Sequence, residues 1–378
     1  MKKKILFVIT QFFKGGAETS LLNLFRLLNP ALYEVDFLVL NQMEYKDATS
    51  LMPDIPSWIQ VFDVLKDNSG GGFLGCTKGK IYRKLFQAET YVNSAAKIVK
   101  HREYDMAISF GEWLSPAFVI KKVNAKSKYV WIHIDLDKAY FVNKKELVKY
   151  DKEITGYIFV SEKSRKNSIL QCPQMIGKSV VIHNFLDRNS IIEKSKQPVT
   201  LLQENASYLL SVGNLRFEKN YPRQIEVMRI LKERKVPVKW ICVGSTVDKN
   251  VYHEVKRRLQ EYCLEDDFIL CGADDNPYRY MKKAKAVMVL SDHESWSLVI
   301  SEAKILGVPV IATNTSGAQE QIIDGETGII TTFEAEEIAD KIENFLRNPV
   351  LQNNIRSNLQ KEDFYGTGLY EFENLIGK

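Results

Sequence analysis

The stretch from Ala286 to Gly328 limits what this chain can become more than any other. AVMVL (286–290) and VPVIAT (308–313) are short, apolar and β-branched, and between them SDHESWS (291–297) leads into LVISEAKILG (298–307). Runs of that length suit strands, and Gly307 with Pro309 stops the helix before them, so the segment reads as strand, loop, helix, strand. The turn from a parallel strand into its helix lies at the carboxyl edge of the sheet, where open α/β folds bind ligands and a helix N-terminus favours phosphate. Glu294 and Glu302, separated by seven residues, stand at that edge. They would repel a phosphate, but a carboxylate accepts hydrogen bonds from adjacent hydroxyls. An anion-friendly helix end beside two hydroxyl acceptors is what a nucleotide sugar requires.

The same alternation runs along the whole chain. KKKILFVIT, a glycine loop QFFKGGAE, the amphipathic TSLLNLFRLLN and YEVDFLVL open it, and YDMAISF (104–110), KYVWIHI (128–134) and GYIFVSE (156–162) follow, with a helical stretch from about Ser115. Strands alternating with helices imply a parallel sheet. Residues 63–80, with DNSGGGFLG, read as a loop, and a helix is expected over Lys80–Lys100. VVIHNFLD (180–187) closes this half. A polar connection covers 188–207, and the rhythm restarts with YLLSVGNL, VKWICVG, FILCG and AVMVL, with helices expected over 221–234, 251–262 and 276–284. The predicted class is α/β: two doubly wound, Rossmann-like parallel-sheet domains facing each other across a cleft. Residues 1–187 form the first and 208–360 the second, and 361–378 form a helix packing across both.

A chain of 378 residues, 45% hydrophobic and 26% charged, has enough material for two full cores. Its longest apolar runs fall far short of the ~18 residues that span a bilayer. Lys2–Lys4 before ILFVIT imitates a signal peptide, but Gln11, Lys14 and a glycine pair follow where a cleavage site would stand, so a buried first strand is expected. Five scattered cysteines fit reduced thiols in a cytoplasmic protein. The net charge of +5 suits a nucleotide substrate or an anionic membrane surface. No aromatic and basic motif supports nucleic-acid binding. Asp135-Leu136-Asp137 would suit a hard cation. The two-domain βα setting argues otherwise, so no metal or other cofactor is expected and the aspartates are read as acceptor-side or structural.

From Ser291 to Gly328 the sequence resembles the retaining glycosyltransferases of family 4, the group 1 glycosyltransferases. Their hallmark is a Glu, seven residues, Glu, then "EA", a "GxPV" strand and a "GG-xx-E" turn; here these are Glu294, Glu302–Ala303, Gly307–Val310 and Ser316–Glu320. KGGAE (14–18), VSE (160–162), IHNFLD (182–187) and SVGNLRFEKN (211–220) are similar to further landmarks, so the likeness extends over nearly the whole chain. It implies a GT-B fold and retaining transfer of a sugar from a nucleotide-diphosphate sugar, uridine diphosphate favoured, to a glycan or lipid-linked acceptor of bacterial surface polysaccharide synthesis. Peripheral association with the inner face of a membrane would follow from such an acceptor.

On that resemblance Glu294 and His133 contact the transferred sugar. Glu302 holds the ribose, Lys219 the diphosphate, and Gly16 lies in the first glycine loop. The base lodges near Cys271–Asp275, including Gly272 and Ala273. The family's arginine falls on Asn214, and Arg216 is the expected substitute. The usual "GFG" turn is replaced by Ser295-Trp296-Ser297, where Trp296 either stacks on sugar or fills the turn, and the amides of Trp296 to Leu298 are expected donors to sugar and phosphate. Two other readings share these features: a GT-B nucleotide-sugar epimerase, and a nucleotide-sugar-binding partner subunit without turnover.

Overall fold

The computed structural model describes residues 2–42, 49–64, 89–112, 114–137, 139, 142–199, 207–246, 248–362 and 367–377. Most of the stretch 63–80 and the first part of the helix expected over Lys80–Lys100 lie outside the described residues; the rest of that helix is Glu89–Val99.

The chain divides into two compact units, one of Met1–Phe185 with Gly366–Lys378 and one of Leu186–Tyr365. The first holds a parallel seven-stranded sheet of β1 (Lys3–Ile9), β2 (Tyr33–Val39), β3 (Gln60–Asp63), β4 (Glu103–Phe110), β5 (Asn124–Ile132), β6 (Gly156–Phe159) and β7 (Ser179–Val181), in the order β3-β2-β1-β4-β5-β6-β7. The second holds β8 (Tyr208–Val212), β9 (Lys239–Val243), β10 (Phe268–Gly272), β11 (Ala286–Val289), β12 (Val310–Thr313) and β13 (Ile329–Thr331), in the order β10-β9-β8-β11-β12-β13. Both sheets wind outward from their first strand in one direction, then return to its other side. That reversal leaves a crevice at the carboxyl ends of β1 and β4 in one unit and of β8 and β11 in the other.

Both faces of the second sheet are covered, which is why its strands are near-continuous apolar runs. Alternate side chains serve opposite faces. Leu209, Trp240, Met288 and Ile311 pack in one core with the helices Tyr221–Glu233, Lys249–Glu261 and Ala335–Arg347. Leu210, Ile241, Val287 and Val310 pack in the other, with Tyr280, Met281 and Ile300.

One segment differs from what the sequence suggested. The polar connection 188–207 contains a helix, Arg188–Ser195, that belongs to the second unit and packs on the helices Tyr278–Lys283 and Leu298–Ile305. Asp187 caps it by accepting the Ser190 amide at 2.9 Å, and Ile191 is buried in the core with Ile192 packed against it; two adjacent apolar residues among polar neighbours gave too weak a pattern to read. The last helix, Thr367–Gly377, groups with the first unit. The Phe372 ring lies 6.0, 5.9 and 6.3 Å from the rings of Phe7, Trp131 and Phe185.

Candidate functional site

In the second unit the crevice between β8 and β11 gathers the chemistry. Glu294 follows β11, and Lys219 ends a short turn, Phe217–Lys219, after β8. The Lys219 Nζ donates to Glu294 Oε1, and the Ser291 hydroxyl donates to the same oxygen at 3.2 Å. The two charged side chains keep 26% and 15% of their surface open, so they are accessible from solvent as well as to each other. Glu302 sits deeper, 7% exposed on the helix Leu298–Ile305, and accepts the Tyr278 hydroxyl at 3.0 Å. Two acids with seven residues between them therefore have different partners, Lys219 for one and Tyr278 for the other.

The turn between them is held from the next strand–helix junction. Gly317 donates its amide to the Glu294 carbonyl at 2.7 Å, and the Ser316 hydroxyl reaches the same carbonyl at 3.3 Å. A Cβ at Gly317 would lie 3.0 Å from Glu294 O, Ser295 C and Trp296 N, so glycine is what permits this approach. Gln321 accepts the Ser297 amide at 2.9 Å and donates to the Ser297 carbonyl at 2.9 Å. The Ser297 amide, expected from the sequence to face a ligand, thus has a partner within the protein. Ser295 is buried and Trp296 and Leu298 are half-buried in the same turn.

Asn214 also has a structural use. Its Oδ1 accepts the Ser245 amide at 3.2 Å, tying the loops after β8 and β9. Arg216 is exposed, with its nearest recorded carboxylate partner, Glu218, at 4.0 Å. Gly272 ends β10 with φ of +75°, in the left-handed region, and Ala273 begins the following loop. Glu320 is half-buried on the helix Ser316–Gln321.

In the first unit, the crevice between β1 and β4 carries acids. Gly15 and Gly16 begin the helix Gly16–Leu27 as expected of a glycine loop, but Glu18 in its first turn brings Oε2 to 2.4 Å from where a Gly15 Cβ would stand. That turn therefore carries an acid close to its glycines. Glu112, just past β4, is 8% exposed and accepts the His133 amide at 2.8 Å. Burial pushes its carboxyl up to about 7, and the charge of Glu18 adds to the rise. His133 follows β5, its ring 4.6 Å from Phe110 and stacked at 6.0 Å on Trp131. Both ring nitrogens are buried, and that burial holds the imidazole down to about 3, neutral at physiological pH.

Asp135 and Asp137 part company. Asp135 is buried and accepts Asn167 at 3.2 Å, while Asp137 is exposed. Among the described residues, no group of three or more His, Cys, Asp or Glu side chains is arranged to hold a metal ion, and no helix is long and apolar enough to cross a membrane.

Tyr278, Gln321 and Glu112 were not singled out from sequence. Each acts through contacts with residues distant in sequence, which leave no periodic or motif signal.

Residues 193–362 match the family model described as glycosyl transferases group 1. Among curated proteins, an N-acetylgalactosamine-N,N'-diacetylbacillosaminyl-diphospho-undecaprenol 4-alpha-N-acetylgalactosaminyltransferase of Campylobacter jejuni is 30% identical over 160 residues, covering 42% of this chain and 41% of that protein. The capsular polysaccharide biosynthesis glycosyltransferase CapM of Staphylococcus aureus is 24% identical over 222 residues, covering 57% and 56%. The chain thus spans about half the length of these relatives. Among solved structures, Anabaena HepE in complex with UDP and glucose superposes with a TM-score of 0.76 at 20% identity, covering 100% of both chains. TarM superposes with 0.76 at 15% identity, covering 100% of this chain and 99% of that one. At such identities the likeness establishes the fold alone.

Proposed function

The chain belongs to the group 1 glycosyl transferases through residues 193–362 and has their GT-B fold, and on that premise we propose that it transfers a sugar from a nucleotide-diphosphate sugar, with retention, to a glycan or lipid-linked acceptor. The observation that carries this is the contact of Lys219 with Glu294 at the β8–β11 crevice, with Glu302 seated separately nearby in sequence and fold. A donor entering there exchanges one set of partners for another. Its diphosphate takes Lys219, Glu294 is released to the hydroxyls of the transferred sugar, and Glu302, oriented by Tyr278, accepts from the ribose.

As the bond from the anomeric carbon to the phosphate oxygen breaks, the sugar gains positive character and the diphosphate negative charge. Lys219 stabilises the latter. The acceptor oxygen forms its bond on the same face, and its proton goes to the departing phosphate. His133, held neutral by burial, is not proposed as the base. Arg216 is proposed as the second cation at the phosphates, replacing the arginine that Asn214 lacks.

A uridine nucleotide is favoured, since the HepE structures contain UDP or UDP-glucose. A lipid-linked acceptor is supported by the undecaprenol-linked substrate named for the Campylobacter relative, and with it peripheral attachment to a membrane. A second reading, donor binding without turnover, draws support from Asn214 and Ser297 being tied to Ser245 and Gln321.

The test is a panel of UDP-, GDP- and dTDP-sugars followed by melting temperature and by sugar release. A bound donor raises the melting point. Lys219→Met should lower kcat by about 10²–10³, and Glu302→Gln should weaken donor affinity. Full turnover in both variants defeats the proposal, and stabilisation without sugar release or transfer favours the second reading.

A further inference from the structure

Lys219 and Glu294 lie on loops from two strands, and the contact between them needs those loops held in register. The loop after β8 ends at Asn220, whose backbone is left-handed, φ 44° and ψ 56°, a conformation that costs an L-residue energy unless its surroundings impose it. The surroundings are on the other loop. Asn220 Nδ2 donates to both carboxylate oxygens of Asp292 at 3.1 Å, while its Oδ1 caps the following helix by accepting the Arg223 amide at 3.1 Å. Arg223 then donates from one guanidinium nitrogen to Asp292 Oδ1 at 2.5 Å and from another to the Leu290 carbonyl at 3.0 Å. The Asp292 amide closes the circuit on the Glu218 carbonyl at 2.8 Å.

Lys219 is therefore flanked on both sides, at Glu218 and Asn220, by residues fastened to Asp292. There is a charge consequence as well. Asp292 is a second carboxylate on the Glu294 loop, and its pairing with Arg223 satisfies it. Lys219 is left to Glu294. Without the Arg223 charge, Asp292 would compete for that lysine.

We infer that Asp292 and Arg223 are positioning residues, which lock the β8 and β11 loops together and reserve the Lys219 ammonium for the diphosphate. This rests on the proposed role of Lys219, and the experiment separates the two. Affinity for UDP, GDP, ADP and dTDP is measured by titration in the wild type and in Asp292→Asn, Lys219→Met and the double variant, each with its melting temperature. The expected result is that Asp292→Asn weakens the best-binding nucleotide about tenfold in the wild-type background. It should change little once Lys219 is already methionine.

Equal weakening in both backgrounds means a general structural role and overturns the inference, as does unaltered affinity in Asp292→Asn. If no diphosphate binds the wild type, or Lys219→Met binds as tightly as the wild type, the role of Lys219 falls and the inference with it. If Asp292→Asn does not fold, Arg223→Lys is read the same way: it keeps a positive charge but lacks the two-pronged guanidinium, and should weaken binding less than Arg223→Met.

Discussion

Replacing Gly317 by alanine sets two effects of opposite sign against each other. Gly317 lies inside the short helix Ser316–Gln321, where alanine would by itself stabilise by about 0.5–1 kcal/mol. The new Cβ, however, would stand 3.0 Å from three backbone atoms of the Glu294–Trp296 turn. Ordinary carbon contacts sit near ~3.5 Å, so the turn must retreat by ~0.5 Å. None of the three is a flexible side-chain end that can swing aside, and the Gly317 amide holds the Glu294 carbonyl at 2.7 Å. Overpacking of this kind costs about 1–3 kcal/mol, which exceeds the propensity gain.

The expected net loss is about 1 kcal/mol, a fall of about 2–4 °C in melting temperature for a unit of this size. Moving the turn also moves the Glu294 carboxylate relative to Lys219. A misplacement of about 1 Å can cost about 10²-fold in rate, so about tenfold is expected here. The assay is kcat at saturating donor beside a thermal melt. A raised melting temperature with kcat unchanged would refute the reasoning, since it would mean that the turn accepts a methyl group without moving.

Tyr278→Phe removes the hydroxyl that Glu302 accepts at 3.0 Å, and donor affinity is expected to weaken about tenfold, roughly 1.4 kcal/mol, by titration. Unaltered affinity would show that Tyr278 does not orient Glu302 for the donor. Glu112 makes a pH prediction. Burial raises its carboxyl from 4.5 to about 7, so between those values the folded chain holds a proton that the unfolded chain has released. Stability contributed by this group must therefore fall as pH rises through that window and level off above it, by an amount on the order of 3 kcal/mol. Glu112→Gln should melt higher than the wild type at pH 8 and nearly level with it at pH 5. Parallel pH profiles for the two proteins would contradict the burial argument.

Much of this molecule was legible in its sequence because strand and helix periods are local. VPVIAT and AVMVL became the neighbouring strands β12 and β11, and the restart at YLLSVGNL became β8, first strand of the second unit. The helix Arg188–Ser195 escaped because Ile191 and Ile192 anchor a segment otherwise polar enough to pass for a connection.

By itself the sequence determined two parallel-sheet units and pointed to Glu294 and Glu302 near a carboxyl edge, where loops after apolar strands must emerge, while Lys219 was legible only through the family resemblance. It could not say who meets whom. Lys219 and Glu294 are 75 residues apart, and they touch because the strand order sets β11 directly beside β8. The same adjacency joins Asp292 to Asn220 and Arg223. Contacts of Tyr278 with Glu302 and Gln321 with Ser297 likewise depend on neighbouring loops converging. Pairings of this kind are fixed by sheet order and side-chain reach, which no stretch of sequence encodes locally.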